Sequence, residues 1–186
     1  MTAHAVPTGI VAVVRAASTA EAVAMGSALA EGGVEHVEIT FTVPDALTAI
    51  RWLALNTNAN VGAGTVMTPS QAEAAVEAGA TFLVSPSLEP GVVEYATSVG
   101  IPAIPGALTP TEISRAVSAG ASAVKLFPVG SVGGPSYVTT IAEVFRDVVW
   151  MVSGGIPAHE VSAYETAGAA SICLGGALID RDALSR

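Results

Sequence analysis

A repeated unit of helix, glycine and apolar strand runs along the chain and constrains its fold more than any other feature. Helical segments end in glycine and short apolar strands follow, as at Gly79 before Phe82–Val84 and Gly100 before Ile101–Ile104. Glycine just past a helix end supplies the left-handed conformation that lets the chain turn back. The repeat predicts eight strands separated by seven helices: Ile10–Val14, Glu35–Thr40, Asn60–Ala63, Thr81–Val84, Pro102–Ile104, Ser122–Leu126, Val148–Val152 and Ser171–Leu174.

The alternation of strands and helices indicates an α/β fold with a parallel sheet covered by helices. Eight units predict a closed (β/α)8 TIM barrel, and a doubly wound open sheet is the alternative. With 186 residues the barrel is compact, since such barrels usually have about 250 residues. One domain over residues 1–186 is expected, because no linker or composition shift divides the chain.

The composition argues against several classes of protein. Apolar residues make up 51% of the chain and charged residues 12%, which is unlike a disordered protein. Glycine and proline interrupt the uncharged stretches before about 18 apolar residues accumulate, so no membrane helix is expected. A net charge of −9 argues against nucleic-acid binding. The absence of a signal-peptide pattern at Met1–Pro7 and the lone Cys173 favour the cytoplasm.

The single lysine of the chain, Lys125, lies in the apolar segment Ala-Val-Lys-Leu-Phe-Pro. Because side chains alternate along a strand, Val124 and Leu126 are expected to face the helices and Lys125 the barrel interior. The same alternation turns Glu38 inward. An apolar setting favours the neutral, nucleophilic amine, which can attack a ketone, and a nearby carboxylate can move the protons. From spacing alone, a catalytic pair and a structural ion pair are equally well supported.

Loops rich in glycine, serine and proline follow the strands, whereas simple Ala-Gly turns precede them. Examples are Gly62-Ala63-Gly64-Thr65, Ser153-Gly154-Gly155 and Gly175-Gly176. In a barrel the active site forms at the C-terminal ends of the strands. Turn chemistry alone accounts for any single one of these loops, but their clustering favours a binding face.

Eight short motifs resemble, in order and spacing, those of the 2-keto-3-deoxy-6-phosphogluconate (KDPG) / 4-hydroxy-2-oxoglutarate (KHG) aldolase family. They are Val37-Glu38-Ile39-Thr40, Val61-Gly62-Ala63-Gly64-Thr65-Val66, Val84-Ser85-Pro86, Ile104-Pro105-Gly106, Lys125-Leu126-Phe127-Pro128, Gly133-Gly134-Pro135, Ser153-Gly154-Gly155-Ile156 and Leu174-Gly175-Gly176.

The resemblance implies a homotrimeric Schiff-base aldolase that needs neither metal nor other cofactor. Its substrate would be a 2-keto-3-deoxy sugar acid, preferably 6-phosphorylated, or 4-hydroxy-2-oxoglutarate, cleaved to pyruvate and an aldehyde in Entner–Doudoroff-type carbohydrate metabolism. By position, the resemblance makes Lys125 the Schiff-base lysine and Glu38 the acid–base carboxylate. It assigns the remaining substrate contacts to Thr65 (pyruvyl half), Pro86 and Phe127 (pocket walls), and Ser153, Gly154, Gly155, Gly175 and Gly176 (phosphate, mainly through backbone N–H groups).

The chain departs from the family pattern at a few positions and at both ends, where the resemblance implies shortened N- and C-terminal helices. Thr42 stands where many members carry an arginine, and Ala177 where many carry a serine. Arg15, at the end of the first strand, is the nearest candidate cation for a carboxylate, the alternative being a rim or interface arginine. We expect His36 to be a hydrogen-bonded structural histidine.

Other functions remain open at this point. A phosphosugar isomerase or epimerase uses a similar barrel, with carboxylates, histidine or metal instead of a solitary apolar lysine. A noncatalytic trimeric homologue would have lost substrate contacts at Thr42 and Ala177, although it would not need to keep Lys125 and Glu38. A metal-dependent aldolase is disfavoured, because the three histidines, His4, His36 and His159, are scattered.

Overall fold

The computed structural model describes residues 4–178 and shows alternating strands and helices throughout. Nine parallel strands form one sheet: β1 (Gly9–Val14), β2 (His36–Thr40), β3 (Asn60–Gly64), β4 (Leu83–Val84), β5 (Ala103–Ile104), β6 (Gly106–Ala107), β7 (Val124–Leu126), β8 (Trp150–Ser153) and β9 (Ala169–Leu174). Seven α-helices lie between them in the described part of the chain: α1 (Thr19–Glu31), α2 (Ala46–Asn56), α3 (Pro69–Glu77), α4 (Pro90–Val99), α5 (Pro110–Ser118), α6 (Pro135–Val144) and α7 (Val161–Thr166).

The sheet closes into a nearly complete barrel, which confirms the predicted (β/α)8 fold and makes the open-sheet alternative wrong. The strand order runs β5-β4-β3-β2-β1-β9-β8-β7-β6, and only Pro105 separates the two end strands in the chain. Hydrogen bonds cross this seam, from Ser122 N to Ala103 O at 3.0 Å and from Lys125 N to Pro105 O at 2.9 Å. The predicted fifth strand is therefore one strand divided at a proline, since proline has no N–H for the ladder.

Glycine ends the helices as predicted. The chain adopts positive φ just past α1, α3, α4, α5 and α7, at Gly33, Gly79, Gly100, Gly120 and Gly168. In this conformation a side chain would be strained, so glycine is the favoured residue. Each helix can thus turn straight back into the next strand, which keeps the barrel compact.

Apolar side chains pack on both faces of the sheet, outside and inside the barrel. Outward side chains of β2 and β7, such as Val37, Ile39 and Leu126, pack against the helices. A smaller cluster fills the barrel interior, with Val11, Val13, Phe82, Val84, Ile104, Ala123, Met151 and Cys173. Val6 packs against this inner cluster from the N-terminal segment, and Ser171 Oγ donates to Pro7 O at 2.5 Å. The N-terminal segment therefore packs against the barrel interior at the amino ends of the strands.

The terminal helices were expected to be short. Residues 4–8 form no helix before β1. The expectation for the C-terminal helix falls on residues 179–186, which lie outside the described residues.

Candidate active site

Lys125 points into the barrel from β7. Its neighbours Val124 and Leu126 pack in the outer layer, whereas Ala123, two residues earlier, belongs to the inner cluster. The lysine side chain is only 3% exposed. Strand alternation thus places a lone amine among apolar side chains, which is the setting in which a lysine can act as a nucleophile.

Glu38 points inward from β2 and is fully buried. Neither of its carboxylate oxygens has a hydrogen-bond partner among the described residues. The carboxylate lies over Gly64 of β3, where a Cβ atom would overlap Glu38 Oε1. Glycine at this position therefore makes room for the acid, and both lone-pair-bearing oxygens remain available to accept protons.

The amine and the carboxylate face each other across the barrel. In the closed strand order, β7 and β2 are separated by β8, β9 and β1 on one side, and by β6, β5, β4 and β3 on the other. Because β5 and β6 are two parts of one strand, three strands separate β2 from β7 on either side. The strands that bear Glu38 and Lys125 therefore lie on opposite walls of the barrel. Both side chains also lie inside the barrel, so the structure brings Lys125 and Glu38 to one interior space, as the sequence predicts.

Cys173 of β9 shares this space. Burial raises the pKa of its thiol to about 12, and the charge of Glu38 acts in the same direction, whereas Lys125, a hydrogen bond with Ser153 and Arg15 act against it. The thiol therefore stays protonated near neutral pH and is no nucleophile. Its side chain contributes an uncharged wall between the charged groups.

A cavity of about 410 Å³ opens at the C-terminal ends of the strands. Its walls include seven of the predicted substrate contacts, namely Arg15, Phe127, Ser153, Gly154, Gly155, Gly175 and Gly176. Arg15 Nη1 lies 3.7 Å from the position of a Cβ on Gly175, so the guanidinium stands beside the last glycine loop. A cation and several glycine N–H groups converging on one cavity suit a ligand with an anionic group.

Phe127 lies beside Lys125 and also lines this cavity. The lysine Nζ lies 5.1 Å from the centroid of the Phe127 ring, and Lys125 itself does not line the cavity. The ring also borders a second cavity of about 480 Å³ whose walls include Pro86. Phe127 therefore connects the surroundings of the amine with both cavities.

Thr65 lies directly after β3 with φ of +57°. This left-handed conformation is a genuine outlier for a β-branched residue. Such strain concentrates at functional sites, where the surrounding structure holds it. Thr65 lines neither cavity described above, and its contact with the pyruvyl half stays a prediction.

Thr42 supplies no cation at the position of the missing arginine. Its Oγ1 lies 2.6 Å from Thr40 Oγ1, and Thr40 Oγ1 in turn donates to Val14 O at 3.2 Å. Since the single hydroxyl proton of Thr40 is used there, Thr42 is the donor between the two threonines. The hydroxyl chain ties together the ends of β1 and β2.

His36 lies at the opposite end of β2 from the cavity, and it is hydrogen-bonded, as expected. Its Nδ1 is 3.1 Å from Asn60 Nδ2, so this nitrogen is the acceptor. Burial lowers the pKa of the imidazole, while the nearby Glu35 carboxylate and a hydrogen bond with the Thr8 backbone raise it. The neutral imidazole thus joins β2 to β3 at the amino ends of these strands.

The sequence reasoning missed Gly64 and Cys173 as parts of the site. Alternation from Gly62 turns Gly64 inward beside Glu38, and alternation from Ser171 turns Cys173 inward, so the signal was present. Within residues 4–178 there is no group of three or more His, Cys, Asp or Glu side chains that could hold a metal ion. Over the same range, no helix is long and apolar enough to span a membrane.

Comparison with known proteins links this geometry to one family. The chain matches the model of the family described as "KDPG and KHG aldolase" over residues 3–186. It is 38% identical to a KHG/KDPG aldolase of Escherichia coli, with 88% of this chain and 77% of that protein covered. It is 36% identical to a probable 2-dehydro-3-deoxy-6-phosphogalactonate aldolase of Rhizobium meliloti, with 91% and 81% covered.

A solved structure adds a chemical observation. The KDPG aldolase of Legionella pneumophila, with pyruvate captured at low pH as a covalent carbinolamine intermediate, superposes with a TM-score of 0.82 at 28% identity. The superposition covers 98% of this chain and 88% of that one.

Proposed function

The chain belongs to the KDPG and KHG aldolase family, and we propose that Lys125 is the amine through which it works as a Schiff-base aldolase. The substrate is a 2-keto-3-deoxy sugar acid or 4-hydroxy-2-oxoglutarate, and the products are pyruvate and an aldehyde. The observation that carries this assignment is a single buried lysine facing a buried carboxylate across the barrel. That arrangement also argues against an isomerase and against a noncatalytic homologue, because neither needs a buried amine.

The reaction begins with attack of Lys125 Nζ on the ketone carbon C2. The ketone oxygen takes up protons and leaves as water, which gives a protonated imine. Removal of the C4 hydroxyl proton then breaks the C3–C4 bond, and its electron pair moves toward the imine nitrogen while the aldehyde leaves. The resulting enamine takes up a proton at C3, and water hydrolyses the imine to pyruvate and the free amine.

Glu38 is the group we assign to these proton transfers. It is buried, and both oxygens lack a hydrogen-bond partner within residues 4–178, so the carboxylate can accept the C4 hydroxyl proton and return it later. Its position opposite Lys125 puts the base on the far side of a substrate bound to the amine. A positioned acid–base group of this kind contributes about 10²- to 10⁴-fold to rate.

The glycine loops and Arg15 are assigned to the end of the substrate away from the ketone. Gly154, Gly155, Gly175 and Gly176 border the same cavity as the Arg15 guanidinium. Backbone N–H groups at loops bind anions well, and arginine matches the geometry of phosphate and carboxylate. We assign Pro86 and Phe127 to the pocket walls, Thr65 to the pyruvyl half, and Ser153 to the anion end.

We expect a phosphorylated 2-keto-3-deoxy sugar acid to be the better substrate. Pyruvate release from such acids, from their unphosphorylated forms and from 4-hydroxy-2-oxoglutarate gives kcat/KM for each. A higher kcat/KM with the phosphorylated acids supports the phosphate assignment. Equal values, or a preference for the small dicarboxylate, would reject it while leaving the aldolase reaction in place.

Arg15→Ala is expected to weaken substrate binding, because Arg15 is the proposed substitute for the arginine replaced by Thr42. A charge-assisted hydrogen bond contributes about 1.5–3 kcal/mol, so KM for the full substrate should rise roughly 10- to 150-fold. Arg146→Ala is the matched control, since Arg146 bonds the Glu143 carbonyl in the connection between α6 and β8. An unchanged KM in Arg15→Ala would make Arg15 a rim residue.

We further propose that one aldolase domain spans residues 1–186, and that it acts as a cytoplasmic homotrimer. A trimer would cover large apolar side chains that are exposed in the single chain, such as Leu55 at 78% and Val144 at 72% exposure. Cys173 is a free, buried thiol, which is compatible with a reducing compartment.

A further inference from the structure

The loop after β7 and the loop after β8 are in direct contact, and at Gly130 the contact is made by backbone atoms. Gly130 N donates to Gly154 O at 2.9 Å. A Cβ on Gly130 would lie 2.7 Å from Gly155 O and 2.9 Å from Gly154 O. The atoms in the way belong to the main chain, so no side-chain rotation can relieve the overlap. Glycine at 130 is therefore needed for the two loops to approach as closely as they do.

The loop that carries Gly130 is fixed by the burial of Val129 and by backbone hydrogen bonds. Val129 is fully buried, and its carbonyl accepts hydrogen bonds from the backbone N–H groups of Gly133 and Gly134. The preceding residues, Lys125–Pro128, contain the proposed Schiff-base lysine and its aromatic neighbour. A larger residue at 130 would therefore displace the other partner, the loop at 154–155.

That partner forms part of the cavity wall. Gly154 and Gly155 both border the cavity, and they have consecutive positive φ values of +91° and +75°. Two successive glycines in this conformation have few intrinsic restraints, so their N–H directions depend on outside contacts. The hydrogen bond from Gly130 is such a contact.

We propose that Gly130 is a positioning residue that fixes the Gly154–Gly155 loop for the anionic end of the substrate. This inference rests on the proposed function. It adds that the strand bearing Lys125 also sets, through Gly130, the direction of the donors at the far end of the cavity. The placement of the anion site relative to the amine thereby depends on this backbone contact.

The test is aldol addition of pyruvate to glyceraldehyde 3-phosphate and to glyceraldehyde, catalysed by the full chain and its Gly130→Ala variant. The ratio of kcat/KM for the phosphorylated aldehyde to that for the neutral one should fall about 10-fold in Gly130→Ala, the loss of roughly one charge-assisted hydrogen bond. Borohydride trapping of pyruvate on Lys125 should stay within about twofold of the wild-type rate. Ser131→Ala is the control, because it places alanine in the same exposed turn without a new backbone overlap.

Each outcome decides a separate point. An unchanged ratio in Gly130→Ala, or a wild-type ratio near one, overturns the positioning role. Equal losses with both aldehydes and in trapping also overturn it, because they indicate general damage to the fold. Absence of trapping in the wild-type chain would instead overturn the proposed function.

Discussion

Reduction with borohydride in the presence of pyruvate is expected to attach one pyruvate-derived adduct to Lys125. No other side-chain amine competes, since Lys125 is the only lysine among the 186 residues. Lys125→Met should abolish this adduct and lower turnover by more than about 10⁴-fold, the scale for loss of a covalent nucleophile. Mass spectrometry of the intact protein and of its peptides locates the adduct, and pyruvate release measures turnover.

Lys125→Arg is the matched variant for this experiment. It keeps a positive charge inside the barrel, but the guanidinium stays protonated and cannot form the imine. Loss of activity in both variants, with retained far-ultraviolet circular dichroism, separates the nucleophile from the charge. An adduct found only on the α-amino group of Met1 would exclude a Schiff base on Lys125.

Glu38→Gln is expected to reduce kcat by about 10²- to 10⁴-fold while preserving the fold. The amide has nearly the shape of the carboxylate, so the space over Gly64 stays filled, but it cannot accept the C4 hydroxyl proton. Attack of the amine needs the carboxylate less, and slow trapping of pyruvate on Lys125 should persist. Steady-state pyruvate release and the rate of trapping measure the two steps separately.

The control for Glu38 is Glu35→Gln, an exposed acid just before the same strand. It removes one carboxylate without touching the barrel interior and should leave kcat unchanged. Turnover at the wild-type level in Glu38→Gln would assign Glu38 a structural role, such as balancing the charge of Lys125.

Periodicity was sufficient to predict the barrel, because each strand and helix is punctuated by local signals. Periodicity did not predict that the fifth strand is divided at Pro105. A proline between Ala103–Ile104 and Gly106–Ala107 divides the ladder, and whether the two pieces serve different neighbours depends on strands far away in the chain. The short predicted strands also shifted at their edges, as with Leu83–Val84 in place of Thr81–Val84, since backbone pairing sets those limits.

The candidate site was predictable where it follows from alternation. Lys125 and Glu38 turn inward because their apolar neighbours turn outward, and a sequence shows that directly. It does not show that Phe127 lies beside the amine, or that Gly130 contacts Gly154. These arrangements join residues from different loops, so only the assembled barrel determines them.

The opposed positions of Lys125 and Glu38 have a consequence for how the chain matures. The carboxylate belongs to the first half of the chain and the amine to the second, and the two halves pair where β9 lies beside β1. A partly folded chain that lacks either half of the barrel cannot hold Glu38 and Lys125 on opposite walls of one interior. The proposed reactivity of Lys125 toward keto acids therefore requires both halves of the assembled barrel, and neither half alone supplies the acid and the amine together.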